Sequence, residues 1–336
     1  MKKLMYVEIV VLALLLVAAI LACTGLTRQA FAPDIPDSTQ NNAEETGQTQ
    51  ETTGATETTE APTIWQPDWK TYPESRQLLA QQYFVYDCVS EQFLTISGSQ
   101  SDRIYPASIT KLATALVAME HLEPDTVIKA DNVLDLVAWG SSVADLQLGD
   151  SLTAEQLIEA MLLPSGNDAA YVLAAAAGRE IAGNPSLPAS EAVSMFMFVM
   201  NARVVELGMT DSNFVNPDGI HDSDHYMTFS DLAVLGKLSM ENETIMKYAN
   251  IAKEQVTLHG EEVEWKNTNA LINPETEYYC QYAVGLKTGQ TPSAGSCLLS
   301  AFRMDEHELI IGVFGCPEID DRFDDTLQLF NEVVLD

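Results

Sequence analysis

A serine and a lysine stand three residues apart in Pro106-Ala107-Ser108-Ile109-Thr110-Lys111. They open an apolar run whose spacing predicts a helix over 109–122, so both side chains share one face a single turn apart. A serine hydroxyl is a weak nucleophile at neutral pH and needs a neighbour to take its proton. A buried lysine with a depressed pKa can do that. The start of a helix also offers backbone N–H groups to developing negative charge. Alone the pair says little, because serines and lysines are common on exposed helix faces.

Two further clusters change its weight. Ser165-Gly166-Asn167 lies between helices predicted over 154–163 and 168–177, and Lys287-Thr288-Gly289 closes a strand predicted over 283–287. Each cluster falls at an element end, where side chains from separate elements can converge.

The positioning elements follow from periodicity. Residues 83–88 and 92–96 are β-branched and aromatic around a short polar break and predict a hairpin. Helical spacing dominates the middle, with a further helix at 191–207, a capping box at Thr153 and Gln156, and Gly208 as a helix stop. After Gln255 strands return at 283–287, 296–302 and 308–314, before a final amphipathic helix at 323–334. The order predicts an α+β fold. Strands from both ends of the domain share an antiparallel sheet, a mostly helical lobe packs against it, and the active site lies between the two.

Composition removes other classes. Seventeen Lys and Arg against 49 Asp and Glu give a net charge of -32, which repels a phosphate backbone, so nucleic acid is not an expected partner. The five His and five Cys lack zinc-ligand spacing, and neither metal nor cofactor is expected. His221 and His225 are four apart but follow the tight turn Asn216-Pro217-Asp218-Gly219, which favours a structural loop over a metal site. Met195, Phe196, Phe198, Val199 and Met200 read as core packing. Cys88, Cys280, Cys297 and Cys316 fit either disulfides or buried thiols.

The N-terminus predicts export. Lys2 and Lys3 precede an apolar run from Ile9 to Ala22, short for a membrane span and typical of a signal-peptide core. Residues 1–23 are expected to be a signal peptide or membrane anchor. Residues 24–64 are expected to be a disordered acidic, Thr-rich linker, since 34–63 carry seven acidic residues and no Lys or Arg. Residues 65–336 are the expected catalytic domain.

The S-x-x-K, S-x-N and K-T-G clusters, in this order, resemble those of penicillin-binding proteins and serine β-lactamases. Flanking residues narrow the resemblance to the D-alanyl-D-alanine carboxypeptidases, the low-molecular-weight penicillin-binding proteins. They include Gly140-Ser141-Ser142, Leu163 to Ala170, Met200-Asn201, Leu207-Gly208-Met209, Asn216 to Gly219, His225-Tyr226 and Gly285 to Gly289. The likeness runs from about Tyr83 to the C-terminus. An insertion-like segment near Gly183 to Ser190, and Gln290 where some members carry His, depart from the pattern. Ile20-Leu21-Ala22-Cys23 resembles a lipobox, which makes Cys23 a lipidation candidate.

The resemblance implies that Ser108 attacks the penultimate D-Ala carbonyl of a peptidoglycan stem ending in D-Ala-D-Ala, with Lys111 as base. Ser165 would relay a proton to the leaving amine, Asn167 hold the acyl amide and Lys287 supply positive charge. The backbone N–H groups of Ser108 and Gln290 would form the oxyanion hole. Thr288, Gly289, Gln290 and Arg322 would bind substrate, with Arg322 as the carboxylate clamp unless it merely pairs with Asp320, Asp321 or Asp324. β-Lactam antibiotics would acylate Ser108 as inhibitors, and the protein would work outside the cytoplasmic membrane, tethered by its N-terminus or secreted. The alternatives are a D,D-endopeptidase on cross-links, a β-lactamase, or an inactive wall-binding module. The Glu-x-x-x-Asn loop that supplies a deacylating base in the best-known β-lactamases is not found after Ser165.

Overall fold

Two ten-residue strands near the C-terminus carry almost no polar alternation, which a strand tolerates only when both of its faces are covered. The computed structural model describes residues 77–335 apart from 306, and the leader and linker expected at 1–64 lie outside the described residues. In chain order come β1 (Gln82–Asp87), β2 (Gln92–Ile96) and β3 (Arg103–Ile104), then a 3₁₀ turn at Ala107–Ile109 leading into α1 (Thr110–Ala118). Next are β4 (Val127–Lys129), β5 (Ser151–Thr153), α2 (Ala154–Leu162), α3 (Asn167–Ile181) and α4 (Ala189–Glu206). β6 (Met227–Thr228), α5 (Phe229–Glu241), α6 (Glu243–Ala249), β7 (Lys253–Leu258) and β8 (Glu261–Lys266) follow. β9 (Ala283–Thr291), β10 (Gly295–Met304), β11 (His307–Cys316) and α7 (Asp321–Leu335) complete the chain.

The main sheet has the order β2-β1-β11-β10-β9 and is antiparallel throughout. Its two faces split the core as the pleat requires. Cys297, Leu299, Ala301, Ile310 and Phe314 join the helical lobe. Leu298, Phe302, Ile311 and Val313 pack with Phe323, Leu327 and Phe330 of α7. The α+β architecture expected from the element order is the one observed.

Local chemistry explains the boundaries. Thr153 Oγ1 accepts the Gln156 N–H at 3.1 Å while Gln156 Oε1 accepts the Thr153 N–H at 2.9 Å, a reciprocal cap on α2. α4 stops where Gly208 takes φ +101°, with the Gly208 N–H on Val205 O at 3.1 Å and the Met209 N–H on Val204 O at 2.9 Å. α5 and α6, which periodicity did not reveal, are capped by Thr228 and Asn242, whose side chains accept N–H groups three residues on. The strand expected to end at Lys287 continues to Thr291, so Lys287-Thr288-Gly289 lies within β9 rather than closing it. Glycine is tolerated there because β9 is an edge strand whose backbone packs closely against the turn of Ser108. Cys88, Cys280, Cys297 and Cys316 are free, buried thiols.

Candidate active site

α1 is buried on nearly every side, so its polar side chains must all find partners inside the protein. Thr114 Oγ1 donates to Pro217 O at 2.7 Å. His225 Nδ1 accepts the Val215 N–H at 3.2 Å, leaving Nε2 to donate to Thr110 Oγ1 at 2.8 Å. Burial holds that imidazole neutral, its pKa pushed down to about 4. His225 therefore fastens the 213–225 loop onto α1, while His221 meets the Tyr105 ring edge-on at 4.6 Å. The two histidines have separate structural partners. Among the described residues no group of three or more His, Cys, Asp or Glu is placed to hold a metal ion.

The loop so fastened completes the surroundings of Lys111. Its Nζ lies 2.7 Å from Ser108 Oγ, 2.6 Å from Asn167 Oδ1 and 3.0 Å from Asp218 O. A carbonyl and an amide oxygen can only accept, so a neutral Lys111 directs its two N–H bonds at them. Its lone pair then faces the Ser108 hydroxyl. Burial drives the Lys111 pKa down to about 8, although the Asp218 and Asp168 carboxylates pull it upward.

Two glycines allow this approach. A Cβ on Gly219, at φ +86°, would come within 1.8 Å of Ala107 O, and one on Gly289 would sit 2.8 Å from Pro106 O. Backbone from both sides thus grips the turn that carries Ser108. Ala107 is held there at φ +48° and Ser165 at φ +63°, left-handed conformations costing about 1 to 3 kcal/mol each in a non-glycine residue. Such strain persists only where the surroundings over-determine it.

Asp168 fixes the opposite rim. Its buried carboxylate accepts N–H groups from Ala144 and Leu146, both at 2.9 Å, and the Asn167 N–H donates to Ser142 O at 2.9 Å. The Gly140-Ser141-Ser142 segment is thereby bound to the Ser165-Gly166-Asn167 turn.

The resulting cleft of about 360 Å³ is lined by Ser108, Ser165, Asn167, Thr288, Gly289, Gln290 and Arg322, together with Gly140 to Ser142 and Thr268. Lys287 is buried behind it, its Nζ 3.1 Å from Thr288 O, and burial together with nearby Lys111 and Arg322 holds its pKa well below the usual lysine value. Arg322, 6% exposed, donates to Gly289 O at 3.4 Å, lies over the Phe323 ring at 4.8 Å, and its Nε has no acceptor. Burial lowers its pKa to about 10. Among the described residues no carboxylate lies within ion-pair distance of Lys111, Lys287 or Arg322. Three basic side chains without a carboxylate partner therefore gather at one cleft of a strongly acidic protein, and of these Arg322 keeps the highest of the lowered pKa values that carry a number.

All the expected catalytic and binding residues other than Cys23 thus meet here. Cys23 lies outside the described residues. Ser165 lines the cleft, but its hydroxyl bonds to neither Ser108 nor Lys111. The supporting residues Asp168, Asp218, Thr110 and His225 lie in sequence stretches quoted above but were given no role there, and Thr114 and Thr268 were not singled out. Asp168 follows the S-x-N cluster directly and Asp218 sits in the quoted Asn-Pro-Asp-Gly turn, but Thr268 carries no local signal at all.

Comparison with known proteins points the same way. The sequence model described as D-alanyl-D-alanine carboxypeptidase matches residues 69–318. The D-alanyl-D-alanine carboxypeptidase DacF of Bacillus subtilis is 28% identical over 228 residues, covering 67% of this chain and 54% of that protein. The D-alanyl-D-alanine carboxypeptidase of Streptomyces sp. K15 is 32% identical over 234 residues, covering 67% of this chain and 77% of its own. The crystal structure of the Streptomyces K15 DD-transpeptidase superposes with a TM-score of 0.67 at 27% identity, over 76% of this chain and 97% of that one. The chain thus spans just over half the length of the Bacillus relative.

Proposed function

The chain belongs to the D-alanyl-D-alanine carboxypeptidase family, and from that premise we propose that it is an extracytoplasmic serine D,D-carboxypeptidase acting on peptidoglycan stems ending in D-Ala-D-Ala. The observation that carries the reading is Lys111 Nζ at 2.7 Å from Ser108 Oγ, with its remaining N–H bonds committed to Asn167 and Asp218. Neutral Lys111 takes the hydroxyl proton as Ser108 Oγ bonds to the penultimate D-Ala carbonyl carbon. The oxyanion lies between the N–H groups of Ser108 and Gln290, each donor worth about 3 to 4 kcal/mol. Asn167 has spent its Oδ1 on Lys111, which leaves its amide N–H groups for the acyl-side carbonyl. The C–N bond then breaks, and Ser165 relays the proton from Lys111 to the departing amine of D-Ala. Water completes the cycle by hydrolysing the acyl-enzyme. Penicillins acylate the same serine, and the adduct persists for want of a dedicated deacylating base.

A carboxypeptidase must read the free carboxylate of its substrate, and an arginine fork does so with two parallel hydrogen bonds. Arg322 is buried at the cleft without a carboxylate of its own, unlike a surface arginine serving its neighbouring aspartates. Arg322→Ala is expected to slow hydrolysis of a free-acid D-Ala-D-Ala peptide ten-fold or more, since charged hydrogen bonds contribute about 1.5 to 3 kcal/mol. The corresponding C-terminal amide should lose little. Equal losses on acid and amide would favour the endopeptidase reading.

Location rests on the apolar run ending at Cys23. Among the described residues no helix is long and apolar enough to cross a membrane; the tether is proposed for the N-terminal segment on its sequence. Cys23→Ser is expected to release the protein from membranes, read by fractionation and blotting. Unchanged membrane retention would point to an uncleaved anchor instead of a lipid.

A further inference from the structure

A second cavity, about 530 Å³, opens between α2, the end of α6 and the β7–β8 hairpin, and shares no lining residue with the catalytic cleft. Its charged residues are mostly spoken for. Asp150 accepts the Gln147 N–H at 2.6 Å and lies 3.2 Å from His259 Nδ1. Lys247 is held by Glu155 at 2.8 Å.

Glu159 is different. It projects from the middle of α2, is only 7% exposed and lines the cavity, yet no hydrogen bond or ion pair reaches its carboxyl group among the described residues. Trp265 forms another wall of the cavity, 4% exposed, with its indole N–H buried and lacking an acceptor. A nearly buried carboxyl group with no donor from the chain must find one in the cavity, from water or from a bound group. The fields at Glu159 show what sign that supplier carries. Glu254 and Glu155 face it with negative charge and only Lys247 opposes them, itself engaged with Glu155. Asp150 adds further negative charge to the wall, and Trp265 supplies aromatic surface on which an alkylammonium is favourably placed, while the Tyr248 ring already carries the Lys247 ammonium at 4.7 Å.

We propose that this cavity is a second binding site, for a ligand carrying a primary ammonium group that donates to the Glu159 carboxylate. Only the ionised carboxylate pairs with the ammonium, so the site strengthens as Glu159 loses its proton. Burial first, then Glu254 and Glu155, raise the Glu159 pKa to about 7 against the opposing Lys247. With a pKa of about 7, roughly a tenth of the molecules present the carboxylate at pH 6 and roughly nine-tenths at pH 8, so affinity should rise about ten-fold between them.

The test uses the full-length protein labelled with ¹⁵N and titrated with n-butylamine, reading the Trp265 indole resonance, which is assigned by its disappearance in Trp265→Phe. A saturable shift at pH 8, about ten-fold weaker binding at pH 6, and no saturable shift with isosteric n-butanol are expected. Glu159→Gln keeps the side-chain volume and should abolish the butylamine response while the rest of the spectrum stays in place. His259→Gln should preserve the pH dependence, which separates Glu159 from the His259–Asp150 pair. No saturable shift at pH 8, the same shift in Glu159→Gln, or an equal response to butanol would each overturn the proposal. The readout involves neither Ser108 nor D-Ala release, so it stands or falls apart from the catalytic reading.

Discussion

Ser108→Ala is expected to eliminate both D-Ala release and covalent capture of labelled penicillin, leaving a folded protein. Loss of the nucleophile in a serine hydrolase costs about six orders of magnitude in turnover, because no other group can form the acyl bond. The fold should barely notice. The hydroxyl of half-buried Ser108 meets only Lys111, whose Nζ keeps Asn167 Oδ1 at 2.6 Å and Asp218 O at 3.0 Å. One hydrogen bond of this kind contributes about 1 kcal/mol, so the melting temperature should move by a few degrees at most. Intact-mass measurement after incubation with penicillin decides the matter. An adduct on Ser108→Ala, or peptide mapping of the wild-type adduct to Ser165, would remove Ser108 from its role. The second outcome is the sharper one, since Ser165 lines the same cleft and has an uncommitted hydroxyl.

The sequence displayed the reacting groups more openly than the structure that holds them. Ser108 and Lys111 are a local pair, so helical spacing alone places them together. The S-x-N cluster is legible at the start of a strongly patterned helix, and K-T-G on a patterned strand that the structure extends past it to Thr291. Sheet strands β10 and β11 were equally clear, as long apolar runs permit little else. What escaped were the non-local constraints. α5 and α6 are short or patterned on two sides, because they pack between the sheet and other helices, and a buried two-sided helix loses its polar stripe. The grip of Gly219 and Gly289 on the Ser108 turn depends on backbone from about 110 and 180 residues downstream, which no local pattern encodes. Asp218 reads as an ordinary turn residue and Asp168 as the start of a helix, yet both are buried and act on the electrostatics of Lys111. Arg322 was placed just before the last helix, whereas it sits within the first turn of α7. There the helix turns it inward, away from the aspartates that had offered a surface alternative.

Lys111→Ala should lower kcat/KM by about two to four orders of magnitude, as expected when a general base is removed from a proton transfer. The wild-type pH profile carries the more specific expectation. Lys111 must be neutral to accept the Ser108 proton, and its pKa is drawn down to about 8 by burial. On the acid side kcat/KM should therefore fall ten-fold per pH unit and level off above about 8, with the limb absent from Lys111→Ala. Asp218 is the sensitive control, because its carboxylate raises the Lys111 pKa. Asp218→Asn should move the limb to lower pH, and a shift to higher pH would show that its charge is not what Lys111 feels. The same depression has a thermodynamic sign. An unfolded lysine takes up its proton near pH 10.5 and the folded one only near pH 8, so stability drops as pH falls between those values and is flat below them with respect to this group. Burying Lys111 thus destabilises the native state at neutral pH, and the hydrogen bonds to Asn167 and Asp218 offset part of that cost. Lys111→Met, which removes the buried charge but orphans those two acceptors, should shift the melting temperature little while abolishing activity. A large loss of stability in that variant would mean that Lys111 is held for the fold. Retained activity would mean that another group takes the proton.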